Sequence, residues 1–170
     1  MTPLPPALGG STTKTEILVW RMEAATHAKT WKKGEGAFKV GGRWSPKGRR
    51  VIYCALDPAT AIMEVAVHKG FKVLDTVAHK LLQIRISRPD KAHVLDPATV
   101  PNKGWLRPGA VSAGQQAFGN ALLDIHPLLV VPSVVSAHSW NLVIDVVGAR
   151  GMFDRLSIED FALDTRLHPA

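Results

Sequence analysis

From Asp57 to Lys69 the chain reads Asp-Pro-Ala-Thr-Ala-Ile-Met-Glu-Val-Ala-Val-His-Lys. Asp57 before Pro58 is a helix start. The carboxylate can cap free backbone N–H groups, and proline lacks the N–H that the first turn would leave unpaired. Gly70 supplies the stop. Ala61, Ile62, Met63, Val65, Ala66 and Val67 make this helix apolar on most faces. Such a helix must be largely buried, so the rest of the chain has to wrap it. Its polar residues Thr60, Glu64 and His68 lie at i, i+4 and i+8 and share one stripe. That stripe faces solvent or an internal cavity. Solvent is the commoner outcome, and Glu64 gains chemical interest only where other polar groups converge on it.

The segments around this helix read as short strands. Ile17 to Met22 and Arg50 to Ala55 are β-rich, and Lys80 to Ile86 alternates apolar and polar residues. Residues 26–39 read as loop or short helix, and Gly41 to Gly48 as a turn. Val111 to Ile125 predicts a helix, with Ala117, Phe118, Ala121, Leu122 and Ile125 on one side. Leu128 to Val135 predicts a buried strand in which Pro132 marks a bulge, an edge or an end. Leu142 to Val147 and Phe161 to Leu163 are the remaining strand candidates. The pattern is a mixed α/β domain.

With 170 residues the chain is sized for one domain. Residues 1–15, rich in proline and glycine, read as a flexible tail, and residues 16–170 as the domain. The tail lacks the basic start and apolar centre of a signal peptide. No apolar run is long enough to span a bilayer. The single cysteine, Cys54, excludes an internal disulfide and a cysteine metal cluster, and fits a reducing, cytoplasmic setting. The seven histidines lack metal-ligand spacing, so no metal is expected. There is no GxGxxG, no P-loop and no GxSxG. The net charge of +7 allows a nucleic-acid, phosphate or acidic-protein partner. The basic residues are spread out, with one local cluster at Arg43, Lys47, Arg49 and Arg50, and a cluster that short is usually a solvated turn.

Arg21 sits inside the first strand. Alternation sets Val19 and Arg21 on one face and Leu18, Trp20 and Met22 on the other. If Val19 is buried, Arg21 is drawn inward and needs an anionic partner, and its guanidinium fork suits a diphosphate. The turn at Gly41-Gly42 offers Arg43. Tyr53, the only tyrosine, leads into the Glu64 helix and is either a core residue or a platform for an aromatic base. Ser133 follows Pro132, and Asn141 follows Trp140. Taken singly, each has an ordinary structural reading.

Taken together, "VWRM" with Arg21, "GGRWSPKGRRVIYCA" with Arg43 and Tyr53, "DPATAIMEVAVH" with Glu64, "VVPSVVS" with Ser133 and "WNLVID" with Asn141 resemble the RES-domain family. That family is named for an arginine, a glutamate and a serine, and supplies the toxins of bacterial type II toxin–antitoxin pairs. The resemblance spans Leu18 to Asp164. It implies an α+β fold, a single domain with a small split β-sheet core and surrounding helices, like the catalytic domains of ADP-ribosylating toxins. It implies NAD+ as substrate and, as partner, an Xre-type helix-turn-helix antitoxin that blocks the cleft and carries the DNA contact. Where many members have an Asn-Pro pair after the asparagine, this chain has Ile144-Asp145-Val146-Val147.

The resemblance gives Glu64 the ribose, Arg21 and Arg43 the diphosphate, and Tyr53 the nicotinamide ring. Ser133 would orient the ribose or amide, with Asn141 on the same wall. The acceptor stays open among water, phosphate and a protein side chain. Ile62 stands where several arginine-directed ADP-ribosyltransferases carry a second glutamate, which disfavours that activity. Two other classes compete: a basic nucleic-acid-binding module without catalysis, and a pure interaction protein in which Glu64 and both arginines face solvent.

Overall fold

The computed structural model describes residues 16–164, apart from 108, 110 and 137, together with residue 166. The expected tail over residues 1–15 lies outside the described residues. Seven strands are present: β1 (Ile17–Ala24), β2 (Val51–Ala55), β3 (His79–Ile86), β4 (Ala92–Val94), β5 (Leu128–Pro132), β6 (Trp140–Asp145) and β7 (Phe153–Phe161). The helices are α1 (Glu35–Val40), α2 (Pro58–Lys69), α3 (Phe71–Thr76) and α4 (Ala113–Ile125).

The sheet order is β4-β5-β6-β2-β1-β3-β7. The β1–β3 and β2–β6 ladders are continuous, whereas β1 and β2 share only the pair Trp20↔Ala55. In continued register Met22 would face Tyr53, but the strands diverge there. The sheet is therefore split into two halves joined at one point, the architecture that the resemblance implies. Ile17, Val19, Ile52, Cys54, Leu82, Ile84, Val130 and Leu142, drawn from both halves, form one shared core. The opposite face of β2, β5 and β6 presents Val51, Leu129, Val131 and Val143 to Leu123 of α4 and to Trp44 and Trp105. Met22, Ala66 and Leu74 tie α2 and α3 to β1.

Helix α2 has the predicted bounds. Asp57 Oδ1 accepts from the Thr60 N–H at 2.8 Å and Oδ2 from the Thr60 hydroxyl at 2.7 Å. Its burial is one-sided, however: Met63 is 40% and Val67 58% exposed. An all-round apolar helix here leaves Met63 and Val67 on one face exposed among the described residues. Helix α4 starts after Ser112, whose hydroxyl accepts from the Gln115 N–H at 3.1 Å. It packs so closely on the glycine turn that a Cβ at Gly119 would lie 2.7 Å from Trp44 Cα.

Several boundaries differ from expectation. The strand predicted to reach Val135 ends at Pro132, one of the outcomes proline allows. The strand predicted over residues 142–147 runs from Trp140 to Asp145. There Asp145 closes a turn, accepting from the Gly148 N–H at 2.7 Å and from Arg49 Nε at 2.7 Å. The last strand is Phe153–Phe161, not residues 161–163. Its pairing with β3 slips between Gln83↔Ser157 and Ile84↔Arg155, so an extra residue breaks the period of two. Its exposed charges are those of an edge strand, which hides the apolar signal.

Candidate active site

Glu64 lies on α2 over the ends of β5 and β6, with its side chain 24% exposed. Ser133, directly after β5, is 1% exposed. Its hydroxyl oxygen accepts from the N–H groups of Val135 at 3.2 Å and Ser136 at 3.4 Å, which fixes the rotamer. The single hydroxyl proton is then donated to Glu64 Oε1 at 2.9 Å. Asn141 stands on β6 opposite Val131 and Ala55. Its Nδ2 donates to the same oxygen, Glu64 Oε1, at 2.5 Å. With nitrogen turned to the carboxylate, the amide oxygen Oδ1 is buried without a hydrogen bond.

Both neutral donors thus grip one oxygen of Glu64. The other, Oε2, has His68 Nε2 at 3.8 Å, one turn along the helix. The polar stripe of α2 therefore divides. Thr60 is buried in the cap, Glu64 is half-buried on a polar cluster, and His68 is in solvent. Chemically, this gives a carboxylate of fixed orientation with one oxygen kept for a further hydrogen bond or for a nearby positive charge.

Arg43 is carried by the turn before β2. Its Nη1 donates to the Trp105 carbonyl at 2.6 Å and its Nη2 to the Arg107 carbonyl at 3.3 Å. Burial pulls its pKa below the ordinary arginine value, while the fields of Glu64 and Tyr53 pull it back up. Arg43 and Glu64 are therefore electrostatic neighbours. Tyr53 builds this turn. Its hydroxyl accepts from the Trp44 N–H at 3.1 Å and bonds the Ser45 hydroxyl at 3.0 Å. A Cβ at Gly42 would lie 2.5 Å from that hydroxyl, so the turn needs glycine there. Burial raises the phenol's pKa, with the bond to Ser45 opposing it.

Arg21 stands apart, at the fork where β1 and β2 diverge. Val19 is fully buried and Arg21 is half-buried, with its side chain 24% exposed. The anionic partner within the chain is Glu23, whose Oε2 accepts from Arg21 Nε at 2.9 Å and Nη2 at 2.6 Å. Nη1 donates to the Tyr53 carbonyl at 2.8 Å, a group that the broken ladder leaves free. Sequence reasoning passed over Glu23, although residues i and i+2 of a strand share a face.

The structure thus joins Glu64, Ser133 and Asn141 directly and brings Arg43 into electrostatic range. Tyr53 is placed beneath the Arg43 turn, and Arg21 on Glu23 rather than on Glu64. Among the described residues, no group of three or more His, Cys, Asp and Glu side chains is arranged to hold a metal ion. No helix among them is long and apolar enough to cross a membrane.

Residues 18–164 match the model of the RES domain. The chain belongs to the RES-domain family. A RES relative from Pseudomonas putida named Toxin Res is 31% identical over 154 residues, covering 89% of this chain and 99% of the relative. A protein named Prs ADP-ribosylating toxin, from Sphingobium sp., is 34% identical over 138 residues, covering 74% of this chain and 80% of its own length. In fold, the RES domain is similar to a chain in the crystal structure of the M. tuberculosis MbcT–MbcA toxin–antitoxin complex. There the TM-score is 0.64 at 22% identity, over 86% of this chain and 85% of that one. Family membership, expected from Arg21, Glu64 and Ser133, is borne out, and so is the α+β fold.

Proposed function

We propose that this RES-domain protein is the toxin of a bacterial toxin–antitoxin pair, and that it cleaves the nicotinamide–ribose bond of NAD+ in the cytoplasm. The observation that carries this reading is the Glu64 carboxylate, clamped through Oε1 by Ser133 and Asn141 with Oε2 left over. In the reaction the C1′–N bond breaks and its electron pair passes to the nicotinamide ring, leaving it neutral. Positive charge builds on the ribose as in glycoside cleavage. A pre-oriented carboxylate lowers that barrier because its position costs no reorganisation at the moment of reaction. Glu64 Oε2 would accept from a ribose hydroxyl. Arg43 would face the diphosphate, and Arg21 would join it by sharing its guanidinium between phosphate and Glu23. Tyr53 would present its ring edge or face to the nicotinamide, and Ser133 and Asn141 would orient the carboxylate.

Water or phosphate as acceptor completes the favoured reaction: its oxygen bonds C1′ and its proton leaves to solvent. The name of the Sphingobium relative favours a second reading, transfer of ADP-ribose to a cellular protein. An antitoxin of the helix-turn-helix type is the proposed partner, covering Glu64 and the exposed Met63 and Val67 of α2 and supplying the DNA contact. The test is incubation of the purified chain with NAD+, with and without phosphate, following free nicotinamide. Nicotinamide release matching NAD+ loss is expected. Persistence of NAD+ under both conditions contradicts the proposal. Labelled NAD+ added to lysate that then marks protein selects the transferase reading.

A further inference from the structure

The positive charge of this chain is concentrated more sharply than the cluster at Arg43–Arg50 indicates. Residues 29–50 contain eight Lys and Arg (Lys29, Lys32, Lys33, Lys39, Arg43, Lys47, Arg49 and Arg50) and one acidic residue, Glu35, a net of +7. The remaining residues contain 13 basic and 13 acidic side chains, so this one connector between β1 and β2 carries the whole formal charge of +7. Arg49 is neutralised by Asp124 at 2.5 Å and Asp145 at 2.7 Å, and Lys32 pairs with Asp154. Lys29, Lys33, Lys39 and Lys47 are exposed and form no ion pair among the described residues.

The same region holds an open depression of about 500 Å³, bounded by Phe38, Leu123, Val147 and Arg50 and by Arg49 with the two carboxylates that it pairs, Asp124 and Asp145. None of the candidate residues around Glu64 lines it. Its apolar groups are accessible: Phe38 is 39% and Val147 67% exposed, with Val40 at 79% and Ile125 at 72% nearby in sequence. The Arg50 guanidinium lies 4.3 Å from the centre of the Phe38 ring and donates to the Lys33 carbonyl at 3.0 Å. Exposed Lys39 and Lys47 are the chain neighbours of the lining residues Phe38 and Gly48.

We propose that this face docks an acidic segment of a partner protein, with an apolar side chain seated in the depression and carboxylates over Lys33, Lys39 and Lys47. Apolar anchors in a hollow with a charged rim are the usual anatomy of a protein docking site. A second copy docking through the same face is a poor occupant, because it would bring the same positive charge to the interface. Residues 1–15 and 165–170 do not qualify either, since they contain no acidic side chain. A nucleic-acid backbone offers no apolar group for the hollow.

The test is fluorescence anisotropy with the full chain and labelled peptides of about 14 residues, one of Glu and Leu and one of Glu and Ser at equal charge. The Glu/Leu peptide is expected to bind about tenfold more tightly than the Glu/Ser peptide, and to weaken as salt rises from about 0.05 to 0.3 M. Val147→Asp and Lys39→Glu, both at exposed positions, should each weaken it about tenfold. Equal binding of the two peptides, or binding unchanged in both variants, overturns the proposal. So does tighter binding of duplex DNA or of phosphatidylserine vesicles than of the Glu/Leu peptide.

Discussion

The junction of α2 with β5 and β6 and the fork between β1 and β2 are each centred on a half-buried charged side chain, Glu64 in one and Arg21 in the other. The two are satisfied in opposite ways. At the fork, Arg21 meets a full negative charge on Glu23 and a backbone carbonyl, so its charge is neutralised within the protein. At the junction, the hydrogen bonds Glu64 accepts from the described residues come from a hydroxyl and an amide, both on one oxygen, with His68 and Arg43 no nearer than ion-pair or field range. Neutral donors fix the direction of a carboxylate without cancelling its charge. One region is therefore built to hold the two sheet halves together, and the other to keep a charge in reserve. Arg21 can serve a substrate only by loosening its hold on Glu23.

That contrast is open to attack by substitution. The largest effect on stability is expected for Arg21→Ala, which strands the Glu23 carboxylate and the Tyr53 carbonyl. Urea unfolding should show a loss of about 2–3 kcal/mol. Much of it should return in Arg21→Met/Glu23→Leu, where no charge is left unpaired. Tyr53→Phe removes the bonds to Trp44 and Ser45 that hold the Arg43 turn, with an expected loss of about 1–2 kcal/mol and a raised KM for NAD+. If Tyr53→Phe raises KM without loss of stability, the hydroxyl acts on substrate rather than on the turn. Ser133→Ala should lower kcat about tenfold, the worth of one orienting hydrogen bond, with KM little changed.

The smallest effect is a pH dependence remote from both regions. The His93 ring stacks on His126 at 4.2 Å, and burial, then that neighbour, holds its pKa below the usual histidine value. Its folded pKa is thus below the unfolded one near about 6.5. The contribution to stability is complete above the unfolded value and is lost as pH falls through the folded one. Thermal unfolding should show Tm falling as pH drops below the unfolded value of about 6.5, less so in His93→Gln.

Much of this was legible in the chain. Asp57-Pro58 and Gly70 bound α2 because caps are local chemistry, and the spacing of Thr60, Glu64 and His68 gave the stripe on which Glu64 sits. What the stripe faces was not legible from local spacing, since Ser133 and Asn141 approach from 69 and 77 residues away, and only the family resemblance set them beside Glu64. The partner of Arg21 was within reach at Glu23, two positions along the strand and on the same face. The strand β7 was obscured by its bulge and by its exposed charges, and α3 by its brevity. The concentration of charge in residues 29–50 needed only counting, yet its meaning depends on the apolar hollow beside it, which only the fold reveals.

The most direct measurement is nicotinamide release from NAD+ by the wild-type chain and by Glu64→Gln, at matched folding as judged by Tm. Glutamine keeps the shape and an acceptor oxygen but not the charge. The account predicts a fall in kcat of about a hundredfold or more with Tm essentially unchanged. Near wild-type release by a folded Glu64→Gln protein would contradict it.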